Sequence, residues 1–222
     1  MTIDSKRLQS EESGGSTRDA AFVDDGSSMP VLSKCVPAWL APLPEGFLSS
    51  SEWERIATFF LIESPCLHQS ARRVSIESLW GKRPFANGNL KKVLQEKVTK
   101  KLSLSLKNCM PKDLEECLVG EGMQDEFYRN IDRQLAVFVR IRGDGNDSAW
   151  MSFFYHLRNA IAHGRFTVAV NSKGRQIFIF EDVKPTVKEG SQVVSARGVI
   201  EIDSLIRIID IIKRGPEGSL EG

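Results

Sequence analysis

Three polar side chains stand close together near the end of an apolar stretch, and their types suit phosphate chemistry. Arg158 and Asn159 precede His163, with an Ala-Ile-Ala filling between them. A guanidinium stays protonated and its planar fork of donors matches phosphate oxygens, so Arg158 would hold a phosphate and stabilise transition-state charge. An imidazole titrates near neutrality, so His163 would act as general base or acid on a ribose 2′-hydroxyl or a leaving oxygen. Asn159 would orient the imidazole or hydrogen-bond the phosphate.

A helix over about 147–163 must position these residues. Apolar residues at three- and four-residue steps predict its core face, and Gly164 predicts its C-cap. On such a helix Arg158 lies about 140° from His163, so one straight helix does not aim both at one point. A second copy facing the first across a two-fold axis would bring them together. The apolar residues that form this face are Trp150, Phe153, Phe154, Leu157 and Ile161.

A purely structural role is the alternative for each of these residues. His163 would then bond the last helix carbonyls, and Arg158 would pair with a carboxylate at the edge of the core. We interpret His156 as a packing or secondary-site residue rather than a catalyst, and the aromatic side chains of the helix as core or dimer interface. Cys109 and Cys117 have no His at a useful spacing, which argues against a Cys–His nucleophile.

The surroundings of Arg158, Asn159 and His163 resemble the HEPN superfamily of α-helical nucleotide-binding and ribonuclease proteins. In that family an Arg and a polar residue precede a His near the end of a long helix. The succession of helix, motif, Gly, β-hairpin and final helix is similar to bacterial and plasmid-borne members over residues 113–214. The resemblance implies a composite active site made of two motifs in a homodimer. It also implies metal-independent RNA cleavage by 2′-hydroxyl attack, leaving a 2′,3′-cyclic phosphate.

The same resemblance implies a biological setting and a second function. Members act in toxin–antitoxin systems or anti-phage defence, so an antitoxin or defence-system protein is an expected partner. Other members are non-catalytic and bind a nucleotide or a protein. We expect no cofactor, because neither function requires one, and the chain has no compact His/Asp cluster for a metal ion.

Composition and charge limit the remaining classes. Residues 72–107 carry ten basic and two acidic side chains, although the whole chain has a net charge of +1. This basic block predicts a nucleic-acid contact through Lys91, Lys92, Lys97 and Lys101, a solvated helix face being the alternative. No helix-turn-helix signature supports a DNA-binding module. Neither a membrane-spanning run nor a secretory signal is evident, so the cytoplasm and reduced thiols are expected.

The pattern along the chain predicts three parts. Residues 1–34 are rich in Ser, Gly and Asp, which is typical of a segment that is disordered or ordered by a partner. Residues 35–110 predict a helical part with helices over about 51–63, 75–81 and 88–106. Residues 111–216 predict the HEPN-like core, with a helix over 123–142, the motif helix, a β-hairpin and a last helix that ends at Gly215. The predicted fold class is mainly α, a helical bundle with a small antiparallel hairpin or three-stranded sheet.

Overall fold

The computed structural model describes residues 35, 37–38, 40–67, 70–82, 84–85, 88–141, 149–185 and 192–218. The prediction for residues 1–34 lies outside this part of the chain. No helix in the described part is long and apolar enough to cross a membrane.

A five-stranded mixed sheet lies at the centre of the protein. Its strands are β1 (Ser105–Cys109), β2 (Leu135–Val139), β3 (Phe166–Val170), β4 (Gln176–Pro185) and β5 (Gln192–Glu201). Their spatial order is β1-β2-β5-β4-β3; β1 and β2 run parallel, and the other neighbouring pairs are antiparallel. The fold is therefore α/β, and the prediction of a mainly α-helical, HEPN-like bundle is wrong.

Helices cover the sheet. Within the described residues they are α1 (Ser51–Thr58), α2 (Ile76–Trp80), α3 (Asn89–Leu94), α4 (Leu114–Gly120), α5 (Ala149–Ala162) and α6 (Ile202–Gly218). α1 continues as a π-helix over Phe59–Glu63 and α3 over Gln95–Lys100, while α6 is broken at Gly215, whose φ is 76°. These elements confirm the predicted helices near 51–63 and 75–81 and the predicted stop at Gly215. The helix predicted over 88–106 ends earlier, because β1 begins at Ser105.

The helix predicted over 123–142 is wrong. This segment forms a 3₁₀ turn at Glu126–Asn130 and then β2. All five side chains of β2 are buried, because both faces of the sheet are covered. A strand buried on both faces reads as an unbroken apolar run and loses the period-two alternation by which a strand is recognised.

Two hydrophobic cores lie on the two faces of the sheet. Ala136 and Phe138 of β2 point into the larger core, beneath α1, α3, α5 and α6. Leu135 and Val137 point into the smaller core, beneath α4 and the chain around Cys35. The predicted helical part and the predicted HEPN-like core therefore share one sheet, since β1 belongs to the first and pairs with β2 of the second.

The β3–β4 hairpin is confirmed. Phe166 lies opposite Phe180, and the register runs to Val170 opposite Gln176. The turn is closed by the Asn171 carboxamide oxygen, which accepts hydrogen bonds from the backbone N–H groups of Lys173 (3.0 Å) and Arg175 (2.9 Å).

Candidate functional site

Helix α5 has a buried face and an outward strip. Eight of its fourteen residues are buried where it packs against the sheet and the π-helical end of α1. Five of its other six residues, together with His163 directly after the helix, form an outward side that is half-buried or exposed. This α5 strip consists of Met151, Tyr155, Arg158, Asn159, Ala162 and His163.

The end of α5 exposes His163. Gly164 has a φ of 65°, its N–H donates to the Ile161 carbonyl at 3.1 Å, and the Arg165 N–H donates to the Ala160 carbonyl at 2.8 Å. This pair of bonds is a Schellman motif, with Gly in the left-handed position as the sequence predicts. Among the described residues, the His163 imidazole has no hydrogen-bond partner. The imidazole is therefore open to a ligand.

Arg158 and Asn159 form a pair one turn earlier. The Arg158 Nη1 donates to the Asn159 Oδ1 at 3.0 Å. The Arg158 Nε is buried and has no hydrogen-bond partner in the described part of the chain. Asn159 thus orients the guanidinium rather than His163, and its NH2 group remains available for a ligand oxygen.

The structure does not bring Arg158 and His163 together within one protomer. On an ideal α-helix their two positions are at opposite margins of the α5 strip, about 140° apart around the axis and about 7.5 Å apart along it. No side-chain hydrogen bond in the described region joins them. One copy of the chain therefore offers a cation and an imidazole on one surface without making both converge on one atom.

A buried row of charges that the sequence analysis missed lies beside this helix end. Glu181 on β4 lies between Arg197 on β5 and Arg165, the residue directly before β3. Glu181 and Arg197 are fully buried and meet through Arg197 Nε (2.9 Å) and Nη2 (2.8 Å), and Arg165 donates to the other carboxylate oxygen. The signal available in the sequence was Glu181 itself, a charge directly after the apolar run of β4.

The charged row anchors the chain that enters the fold. The Ala38 N–H lies 3.1 Å from both Glu181 carboxylate oxygens, and the Ala38 carbonyl accepts from Arg165 at 3.0 Å. Tyr128 packs under Arg197, whose guanidinium carbon lies 5.0 Å from the ring centroid. Burial raises the pKa of the Tyr128 phenol far above its usual range, so the phenol stays neutral. These contacts support a structural role for the row.

His156 belongs to a second buried network. Its Nδ1 lies 2.7 Å from Asp182 Oδ2 and its Nε2 lies 2.8 Å from the Val139 carbonyl oxygen. Ser195 donates to the same Asp182 oxygen at 2.8 Å. All three side chains are almost completely buried. The polar atoms of these three side chains therefore bond one another and the backbone inside the protein.

The predicted lysines lie along α3 and its π-helical continuation. Lys91, Lys92 and Lys101 are exposed, and Lys97 is half-buried. Their neighbour Lys100 forms an ion pair with Glu96 at 3.0 Å. Most of these basic side chains therefore face solvent. This exposure is compatible with a nucleic-acid contact and equally with a solvated helix face.

The cysteines differ from the expectation of reduced thiols. Cys109 at the end of β1 and Cys117 in α4 form a disulfide. Cys35 and Cys66 are free, and burial raises the pKa of both thiols, so neither is activated as a nucleophile. Within the described chain, no group of three or more His, Cys, Asp and Glu side chains is placed to hold a metal ion.

Comparison with known proteins identifies no relative. The chain matches no protein-family model, and no curated protein and no solved structure is significantly similar to it.

Proposed function

We propose that the protein binds single-stranded RNA on the α5 strip and cleaves it without a metal ion. Arg158 holds the scissile phosphate, Asn159 fixes the guanidinium and contacts a phosphate oxygen, and His163 transfers the proton of the 2′-hydroxyl or of the leaving oxygen. The observation that carries this proposal is the exposed His163 imidazole, which has no hydrogen-bond partner among the described residues, on the same surface as the Arg158–Asn159 pair. The α/β fold gives no support to the resemblance noted in the sequence, so the proposal depends on this surface alone.

The chemistry suits RNA more than other phosphate ligands. A 2′-hydroxyl is a nucleophile adjacent to the phosphate, and it needs only a proton acceptor and stabilisation of charge. The imidazole supplies the first and the guanidinium the second. As the 2′-oxygen bonds to phosphorus and the bond from phosphorus to the 5′-oxygen breaks, the imidazolium formed by the first proton transfer returns its proton to the leaving 5′-oxygen.

Two copies of the chain make the complete site. Since Arg158 and His163 do not converge in one protomer, we propose that Arg158 of one copy and His163 of another act on the same phosphate. Of the two roles expected for Trp150, Phe153 and Phe154, core and dimer interface, their burial inside the protomer favours the core. Contact through the α5 strip itself replaces that interface.

The test is cleavage of a labelled single-stranded RNA. His163→Ala and Arg158→Ala should each lower the rate by at least about 100-fold, which is typical of a lost proton-transfer or charge-stabilising group. Arg207→Ala, which removes another half-buried Arg from helix α6, should leave the rate unchanged. The wild type should retain activity in EDTA, and an RNA with a 2′-deoxy scissile nucleotide should resist cleavage. Wild-type activity in folded His163→Ala would refute the assignment.

Mixing the two inactive variants tests the composite site. In a mixed dimer, one site carries both substitutions and the other carries none. Because half of randomly formed dimers are mixed, the mixture should recover about a quarter of the wild-type rate. If both residues act within one copy, mixing should recover nothing.

A non-catalytic binding module is the second candidate. The separation of Arg158 from His163 favours it, since binding needs no convergence on a single atom. It predicts no cleavage by any variant, and an affinity for nucleotide or protein ligands that falls on Arg158→Ala. A growth defect on expression that disappears with His163→Ala would favour the ribonuclease and the proposed toxin or defence role.

A further inference from the structure

Tyr155 is the aromatic residue of the α5 strip. The other large aromatic residues of this helix, Trp150, Phe153 and Phe154, are buried, whereas Tyr155 is 36% exposed. It precedes Arg158 by three residues and Asn159 by four, so all three lie on one side of the helix within about one turn. The ring is therefore a neighbour of the phosphate-binding pair.

The Tyr155 ring contacts its buried neighbour, His156. The rings of Tyr155 and His156 are perpendicular, with centroids 5.6 Å apart. His156 is held on both ring nitrogens by Asp182 and the Val139 carbonyl. The Tyr155 hydroxyl has no hydrogen-bond partner among the described residues. The protein thus holds the ring at the surface without using its polar group.

We infer that Tyr155 is a stacking platform for an unpaired RNA base whose phosphate is bound by Arg158, an inference that rests on the proposed function. Every base has a π-face, so stacking on an exposed aromatic ring gives affinity that tolerates any sequence. Bases in a duplex are already stacked, so this contact selects single strands. The Arg158 guanidinium matches the phosphate of a nucleotide, and the neighbouring Tyr155 ring matches its base. An acidic protein surface would use the cation but gain less from the ring.

The inference predicts how affinity depends on the ring. Tyr155→Ala should weaken binding of a fluorescein-labelled oligouridine by roughly 5- to 150-fold, the range typical of one lost base–aromatic stack. Tyr155→Trp and Tyr155→Phe should retain wild-type affinity, because both keep a π-face. Tyr155→Leu preserves apolar packing but has no π-face, so it should behave like Tyr155→Ala. Binding of the corresponding RNA duplex should be weak and insensitive to all four substitutions.

Phe127 provides the matched control. It is 65% exposed and lies in the 3₁₀ turn Glu126–Asn130, on the side of the smaller core, which is the face of the sheet opposite α5. Phe127→Ala removes an exposed aromatic ring of similar size and should leave RNA affinity unchanged.

The outcomes separate this inference from the proposed function. Weak binding by Tyr155→Leu and tight binding by Tyr155→Trp support stacking. If Tyr155→Leu binds like the wild type while Arg158→Ala does not, stacking is refuted and the proposed function stands. Stacking is also refuted if the RNA duplex binds tightly and its affinity falls as much as that of the single strand when Tyr155 is substituted. If the wild-type protein binds no single-stranded RNA, the stacking inference and the proposed function are both refuted.

Discussion

The His156 imidazole lies between two oxygen atoms, one of the Asp182 carboxyl group and one of the Val139 carbonyl. This placement limits where the protons shared by His156 and Asp182 can be. A neutral imidazole has one N–H, yet Nδ1 faces a carboxylate oxygen at 2.7 Å and Nε2 faces a carbonyl oxygen at 2.8 Å. Either both nitrogens carry a proton and Asp182 is the counterion, or Asp182 itself is protonated and donates. In both cases the pair is neutral overall, which makes its complete burial tolerable.

A β-bulge completes this arrangement. The register passes from Asp182 opposite Ala196 to Val183 opposite Val194, so Ser195 is the extra residue. An extra residue turns its side chain away from the regular alternation. Ser195 thereby reaches Asp182 from the neighbouring strand. Sequence alone gives no sign of this bulge, because it depends on the pairing of β4 with β5.

The first prediction concerns this pair. Asp182→Asn keeps the shape of the side chain but removes the charge or proton that balances the imidazole. If both imidazole nitrogens carry a proton, the free energy of unfolding should fall by about 3–5 kcal/mol, as on breaking a buried ion pair. If Asp182 carries the proton, the amide NH2 donates in its place and the loss should be only about 1 kcal/mol. Ser195→Ala, which removes one hydrogen bond to the same carboxylate, should cost only about 1 kcal/mol. Urea denaturation of the variants measures both, and equal losses would contradict the charge argument.

The candidate site was only partly predictable from the sequence. Arg158, Asn159 and His163 were recognisable because their side-chain chemistry and helical spacing are local properties. Tyr155 lies off the core face that the helical spacing predicts, but its chemistry did not single it out, and its partial exposure is known only from the fold. The Arg165–Glu181–Arg197 row joins β4, β5 and the residue directly before β3, and it appears only when the strand register is known.

At the scale of elements, prediction succeeded where one side of an element faces solvent. α5, the β3–β4 hairpin and the start of α6 have clear periodicity or clear turn residues, such as Asn171 and Gly174. β2 is central and buried on both faces, so its apolar run resembled part of a helix. β1 is short and pairs parallel with β2, a long-range contact that no local pattern encodes.

Helix α4 is attached to β1 by a covalent link in addition to its core contacts. Leu114 and Leu118 are buried in the smaller core, and the Cys109–Cys117 disulfide joins the helix to the end of the strand. The two cysteines are eight residues apart. A short closed loop still lowers the entropy of the unfolded chain, so the link stabilises the fold.

The second prediction tests this link. Cys117→Ser should lower the free energy of unfolding by about 2–3 kcal/mol, and a dithiol reductant should lower that of the wild type to the same value. Cys66→Ser is the control, because Cys66 is free and half-buried. Alkylation of the unreduced, unfolded protein should label only Cys35 and Cys66. Labelling of all four cysteines would show that the link does not form.

The basic block and the α5 strip, the two candidate RNA contacts of the molecule, both belong to the helical layer that covers the larger core. Leu90, Leu94 and Val98 anchor α3 and its π-helical continuation in the larger core, which also contains the buried face of α5. α3 packs against α6 as well. The basic block and the α5 strip therefore lie on the same side of the sheet, and the smaller core lies on the other. A single strand of RNA bound at Arg158 has a basic surface within the same layer.

The basic block should accordingly contribute to RNA affinity and to its salt dependence. Changing Lys91, Lys92, Lys97 and Lys101 to Gln removes up to four phosphate contacts. Each lost contact should lower the slope of log K against log salt concentration by about 0.7 for single-stranded RNA, because fewer counterions are released on binding. Titrations of the oligouridine at several salt concentrations measure this slope. Single-turnover cleavage at saturating protein should be unchanged, because these lysines are outside the proposed catalytic group.

A matched pair distinguishes a specific basic surface from loss of positive charge alone. Lys92 and Lys101 are exposed in the basic block, whereas Lys112 and Lys173 are exposed near the start of α4 and in the β3–β4 turn. Both double Gln variants change the net charge equally. We expect the Lys92/Lys101 variant to flatten the salt dependence and the Lys112/Lys173 variant to leave it near the wild-type value. Equal slopes for the two variants would make the lysines of residues 72–107 a solvated helix face, and RNA would then be bound by the α5 strip without them.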